Sequence, residues 1–132
     1  MLCFDKLKIT TPINYIKDID KNVFQTISKN EILQSHKYRH KTYNLLVMLN
    51  YEYNELVIEF TSKILKDNFT HLINKDTIHE CFNNINQLNI CKLDIDKIIN
   101  NSEVVKCDPV KDIAFQDIKA LSNYCRFQSC QL

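Results

Sequence analysis

The chain's densest concentration of reactive side chains is His36-Lys37-Tyr38-Arg39-His40-Lys41, followed closely by Tyr43. Lysine and arginine neutralise phosphates, and tyrosine rings offer stacking surfaces to unpaired bases, so Lys37, Tyr38, Arg39, His40, Lys41 and Tyr43 form a candidate nucleic-acid-binding set. The same composition also suits a solvated edge strand that charge protects from pairing with another chain. A metal on the two histidines is a poorer reading. His36 and His40 would share a helix face, but their surroundings read as strand, where residues four apart stand about 13 Å from each other. Tyr38-Arg39-His40-Lys41 also has the Y-x-x-K spacing of a tyrosine nucleophile with a supporting lysine, a match of only two fixed positions.

Carboxylates supply the second kind of chemistry. Glu59 lies inside the apolar run Leu56-Val57-Ile58-Glu59-Phe60. Alternation puts it beside Val57, with Leu56, Ile58 and Phe60 on the other face. A carboxylate in such company either reaches solvent or takes a partner such as a cation. Asp108 and Asp112 occur in Cys107-Asp108-Pro109-Val110-Lys111-Asp112. Two carboxylates at a strand end can chelate Mg²⁺ or Mn²⁺ and activate a phosphodiester, or they can cap the turn that Pro109 initiates.

These side chains need elements to hold them, and hydrophobic periodicity predicts which. Leu2 to Thr11 alternates as a strand that Pro12 ends. Residues 13–22 read as a loop or short helix. Val23–Ile27 and Ile32–Tyr38 read as strands around a Ser28–Glu31 turn. The strongest strand signals are Tyr43–Leu49 and Leu56–Phe60, an antiparallel hairpin whose connector contains Asn50 and Asn54. Residues 75–88 predict a helix burying Ile78, Cys81, Phe82, Ile85 and Leu88, with Asn74, Asp76 or Thr77 as its cap. Short strands at Cys91–Leu93 and Glu103–Cys107 flank a helical turn at Ile95–Ile99. A final amphipathic helix is expected over Asp117–Phe127. The resulting expectation is a single α+β domain over residues 1–132. Its antiparallel sheet has five to six strands, with two or three helices packed on one face.

Composition excludes several classes. The 132 residues contain no glycine, which removes Gly-rich phosphate loops, dinucleotide fingerprints, nucleophile elbows and EF-hand loops. The net charge of +1 rules out a chain basic throughout but permits a basic patch. No run of eighteen apolar residues is present, so no membrane partner is expected. Six scattered cysteines without C-x-x-C spacing or a secretory signal predict reduced thiols and a cytoplasmic location.

Three segments carry a family resemblance. Phe4-Asp5-Lys6-Leu7-Lys8-Ile9-Thr10-Thr11 is similar to the opening strand of replication initiation proteins of phages, plasmids and mobile elements. Glu55-Leu56-Val57-Ile58-Glu59-Phe60-Thr61-Ser62-Lys63-Ile64-Leu65 resembles a hairpin strand of the same group. Val105-Lys106-Cys107-Asp108-Pro109-Val110-Lys111-Asp112-Ile113 matches their strand followed by D-x-x-x-D.

The resemblance implies rolling-circle initiation, with origin recognition, a tyrosine nucleophile and a divalent metal. It makes Asp108, Glu59 and Asp112 the metal-site candidates, with Mg²⁺ or Mn²⁺ as the ion. The chain departs from the pattern in two ways. It has no His-hydrophobe-His motif, and its late tyrosine, in Tyr124-Cys125-Arg126-Phe127, has no supporting lysine. The expectation is therefore a shortened initiator domain that binds single-stranded or origin DNA without nicking it. The alternatives are a metal-dependent nickase and a non-enzymatic interaction module, including a homodimer.

Overall fold

A computed structural model describes residues 3–28, 34–40 and 43–109. Among the described residues there are eight strands: β1 (Phe4–Pro12), β2 (Ile16–Ile19), β3 (Gln25–Ser28), β4 (Gln34–His40), β5 (Leu45–Asn50), β6 (Glu55–Thr61), β7 (Cys91–Leu93) and β8 (Glu103–Pro109). The α-helices are α1 (Ile78–Gln87) and α2 (Ile95–Asn101), and 3₁₀ segments cover Ile13–Tyr15 and Ser62–His71. The architecture is α+β, as expected. Six strands form an antiparallel sheet in the order β3-β4-β5-β6-β1-β8, and β2 pairs with β7 as a separate ribbon.

Alternation in β1 and β6 explains the sheet's two faces, and the almost wholly apolar β5 contributes to both. Leu7, Ile9 and Thr11 on β1 stand opposite Phe60, Ile58 and Leu56 on β6. Val47 and Leu49 on β5 continue the same rows. These apolar side chains are almost fully buried and join Ile64, Leu65, Ile78, Cys81, Phe82, Ile85 and Ile98 in one core. Phe60 and Phe82 meet edge to face at 5.5 Å, an arrangement worth about 0.5–1.5 kcal/mol beyond the area it buries. The helices thus cover one face of the sheet.

Asparagine makes the turns that glycine usually makes. Asn44, Asn54 and Asn89 all have φ between 50° and 60°, a region asparagine tolerates better than other non-glycine residues. In the β5–β6 hairpin, the Asn50 side chain also accepts a hydrogen bond from the Glu52 amide at 3.1 Å. Asn74, one of the three expected caps, organises the entry to α1. Its Oδ1 accepts from the amides of Asp76 and Thr77 at 2.8 and 3.1 Å. Thr77 makes no capping bond within the helix; its hydroxyl donates to the Leu72 carbonyl at 2.6 Å instead.

The structure adds details that periodicity did not reveal. Residues 13–22 contain strand β2, which pairs with β7, a neighbour more than seventy positions away in the chain. A four-residue strand with only its end residues half-buried carries too little pattern to stand out. Asn86 clamps the ribbon to α1, its Oδ1 accepting from the Leu93 amide at 2.8 Å and its Nδ2 donating to the Leu93 carbonyl at 3.2 Å. Ser62–His71 is an interrupted 3₁₀ segment in which Lys66 (φ 56°, ψ −119°) leaves helical geometry. Leu72 at its end has φ 62°, ψ 174°. Cys81 and Cys91 are free thiols, but Cys107 is disulfide-bonded, which departs from a fully reduced set. The expected helix over Asp117–Phe127 lies outside the described residues. Among the described residues no helix is long and apolar enough to cross a membrane.

Candidate nucleic-acid interface

The sheet face opposite the helices carries a band of basic residues. Strand registers place Arg39, Leu46, Glu59, Lys8 and Lys106 in one row across β4, β5, β6, β1 and β8. Lys37, Met48, Val57 and Thr10 form the adjacent row. With neighbouring strands about 4.8 Å apart, Arg39 and Lys106 bracket roughly 19 Å of sheet. Leu46 and Val57 are buried at 9% and 6% exposure, yet neither belongs to the main core. They form an apolar centre with cations on both sides.

Lys8 and Lys106 are register partners across β1 and β8, next to a register shift between Lys8 and Ile9. Like charges facing across antiparallel strands repel, and Glu59, opposite Lys8 on β6, offsets part of that repulsion. A bound anion between them would reverse the sign of the interaction.

The predicted basic-aromatic cluster is divided by the sheet. Lys37 and Arg39 fall on the face opposite the helices, whereas His36, Tyr38 and His40 alternate to the side bearing the helices. Tyr38 packs on Phe24 at 5.5 Å between ring centroids and touches the core. His40 stacks on Tyr43 at 4.8 Å. His36 accepts or donates a 3.1 Å hydrogen bond with the Thr26 hydroxyl and meets Tyr51 edge to face. Burial raises the Tyr38 phenol above its ordinary pKa, which disfavours it as a nucleophile. Lys41 lies outside the described residues. The basic and aromatic components therefore occupy opposite faces. A strict period of two in β4 predicts that division, provided the segment is read as strand throughout.

Glu59 and Asp108 do share the open face, with Lys6 between them. Lys6 pairs with Asp108 in the β1–β8 register, and its Nζ lies 2.9 Å from Glu59 Oε1. The cation beside Glu59 is thus a lysine. Because β1 separates β6 from β8, and Glu59 lies opposite Lys8 while Asp108 lies opposite Lys6, the two carboxylates start about 12 Å apart at their strands. Among the described residues no three acidic, histidine or cysteine side chains gather as a metal-binding group. Asp112 and Tyr124 lie outside those residues.

Sequence reasoning had singled out neither Lys6, Lys8 nor Lys106 as part of a basic surface. Lys6 and Lys8 were visible as the polar half of β1's alternation. Lys106 joins them only through the β1–β8 pairing, which spans almost the whole described chain. No known protein family, curated protein or solved structure matches this chain.

Proposed function

We propose that this chain is the DNA-binding domain of a replication initiation protein, and that it recognises single-stranded or origin DNA through the open face of its sheet. The observation that carries the reading is the Lys8–Lys106 pair on the same face as Lys37 and Arg39. Two lysines held opposite each other are explained if an anion is their ordinary partner, and the row they occupy is long enough for several phosphates. Leu46, Met48 and Val57 form a low-dielectric floor beneath such contacts, strengthening them relative to water. The likeness of β1, β6 and β8 to initiator strands selects DNA replication as the context. Those are the strands that bring Lys6, Lys8, Glu59, Lys106 and Asp108 together.

Fluorescence anisotropy with a short labelled single strand and a duplex of the same sequence tests the reading over a salt series. Binding should weaken as salt rises, because phosphate neutralisation releases counterions. Replacing Lys37 and Arg39 by alanine should reduce both the affinity and the salt slope. Salt-independent binding, or binding indifferent to those replacements, would refute it.

A further inference from the structure

A strand at the edge of a sheet presents backbone N–H and C=O groups without ladder partners, and an unprotected edge is a template for another strand. Among the described residues the six-stranded sheet ends on β3 and β8, each with one neighbour. β8 is protected. It carries Glu103, Lys106 and Asp108, and its pairing with β1 has two register irregularities. β3 has neither safeguard: Gln25-Thr26-Ile27-Ser28 contains no charge and no proline, and its register with β4 runs unbroken through all four residues.

Apolar surface collects at the same edge. Six large hydrophobic side chains are exposed among the described residues, and three of them lie around β3. Ile27 is in the strand at 41% exposure, and Val23, at 45%, comes two residues before it begins. Tyr51 is joined to the strand through His36. Its ring meets the imidazole edge to face at 5.4 Å, and that imidazole shares a 3.1 Å hydrogen bond with the Thr26 hydroxyl. Withdrawing such side chains from water favours association, and the adjacent edge supplies main-chain hydrogen bonds to an added strand.

We propose that β3 pairs antiparallel with β3 of a second copy of this chain, joining the two sheets about a two-fold axis. Such an interface is isologous, so the strand must be complementary to itself. β3 meets that condition because self-pairing brings no like charges face to face. Residues that oppose each other must point to the same side of the joined sheet. The register centred on Ile27 satisfies this and sets the two exposed isoleucines against each other. A four-residue strand makes a small contact, so the dimer belongs to the weak class that buries less than about 1,200 Å² and depends on protein concentration. Both helical layers then lie on one side of a continuous sheet. The inference does not depend on the DNA reading.

Sedimentation equilibrium of the full chain, without DNA, tests the pairing over a concentration range of about 5 to 500 µM, which spans weak association. The average mass should climb from 15.7 kDa toward that of two chains. Ile27→Lys places a charge against its own copy and should hold the protein monomeric throughout, with thermal unfolding unchanged at low concentration. Val105→Lys, the same kind of change at an exposed residue of β8, should leave the association as in wild type. A wild-type monomer at every concentration overturns the proposal. So does a dimer that survives Ile27→Lys, or one that Val105→Lys abolishes. If Ile27→Lys fails to fold, amide hydrogen exchange of the wild type decides. Protection of residues 25–28 that rises with concentration supports the pairing, and unchanged protection overturns it. Because no nucleic acid is present, the DNA-binding reading stands or falls separately.

Discussion

Lys8 of β1 and Lys106 of β8 stand directly opposite each other across an antiparallel pair, on the sheet face away from the helices. Local stability does not favour that arrangement, since like charges facing across strands repel. The same two residues should therefore respond in opposite ways to measurements of folding and of binding.

Lys106→Glu converts the repulsion into an attraction. Cross-strand pairs contribute about 0.2–1 kcal/mol, so thermal unfolding should shift upward by a few degrees. Oligonucleotide affinity should fall in the same variant, with a smaller salt slope. A fall in both stability and affinity would mean that Lys106 serves the fold and not a bound anion.

Backbone geometry in the segment after β6 makes a second prediction. Lys66, exposed and at φ 56°, ψ −119°, occupies a region that costs a residue with a Cβ about 1–3 kcal/mol. Lys66→Gly should raise the urea midpoint, because relief of that strain exceeds the entropy glycine adds to the unfolded chain, about 0.5–1 kcal/mol. Lys66→Ala should leave it nearly unchanged. Equal midpoints for the glycine and alanine variants would show that the segment stores no strain.

The buried thiols make a third. Burial raises Cys81 and Cys91 from 9.0 to about 12, with Glu80 adding to the effect at Cys81. A raised pKa in the folded state means that the unfolded chain loses these protons first. Their contribution to stability is thus complete below pH 9 and is lost as pH climbs from 9 toward 12. At pH 8.5, iodoacetamide should modify Cys81 and Cys91 only through opening of the fold, and urea should accelerate the reaction. Prompt alkylation of both in the native protein, rising about tenfold per pH unit, would contradict this protection.

Much of the scaffold was legible in the chain. Alternation in β1 and β6 identified the core rows, because every second residue of a half-buried strand must be apolar. The spacing of Ile78, Cys81, Phe82 and Ile85 located α1 within three residues at its start and one at its end. The absence of glycine directed attention to asparagine, and Asn54 carries the positive φ of the β5–β6 turn. Ribbon β2–β7 escaped notice because β2 is four residues long and is stabilised by a partner remote in sequence. Lys66 and Leu72 escaped it because neither residue type signals a left-handed backbone.

The amino-acid sequence by itself determined the α+β class, the sheet's polar and apolar halves, and the presence of cations on β1 and β4. Only the tertiary structure decided that β1 lies between β6 and β8, which places Lys8 opposite Lys106 and Lys6 between Glu59 and Asp108. It also decided that the helices cover the β4 face bearing Tyr38 and His40 and not the one bearing Lys37 and Arg39. The physical reason is that periodicity is local, whereas strand order and register come from burying one shared core among segments up to a hundred residues apart.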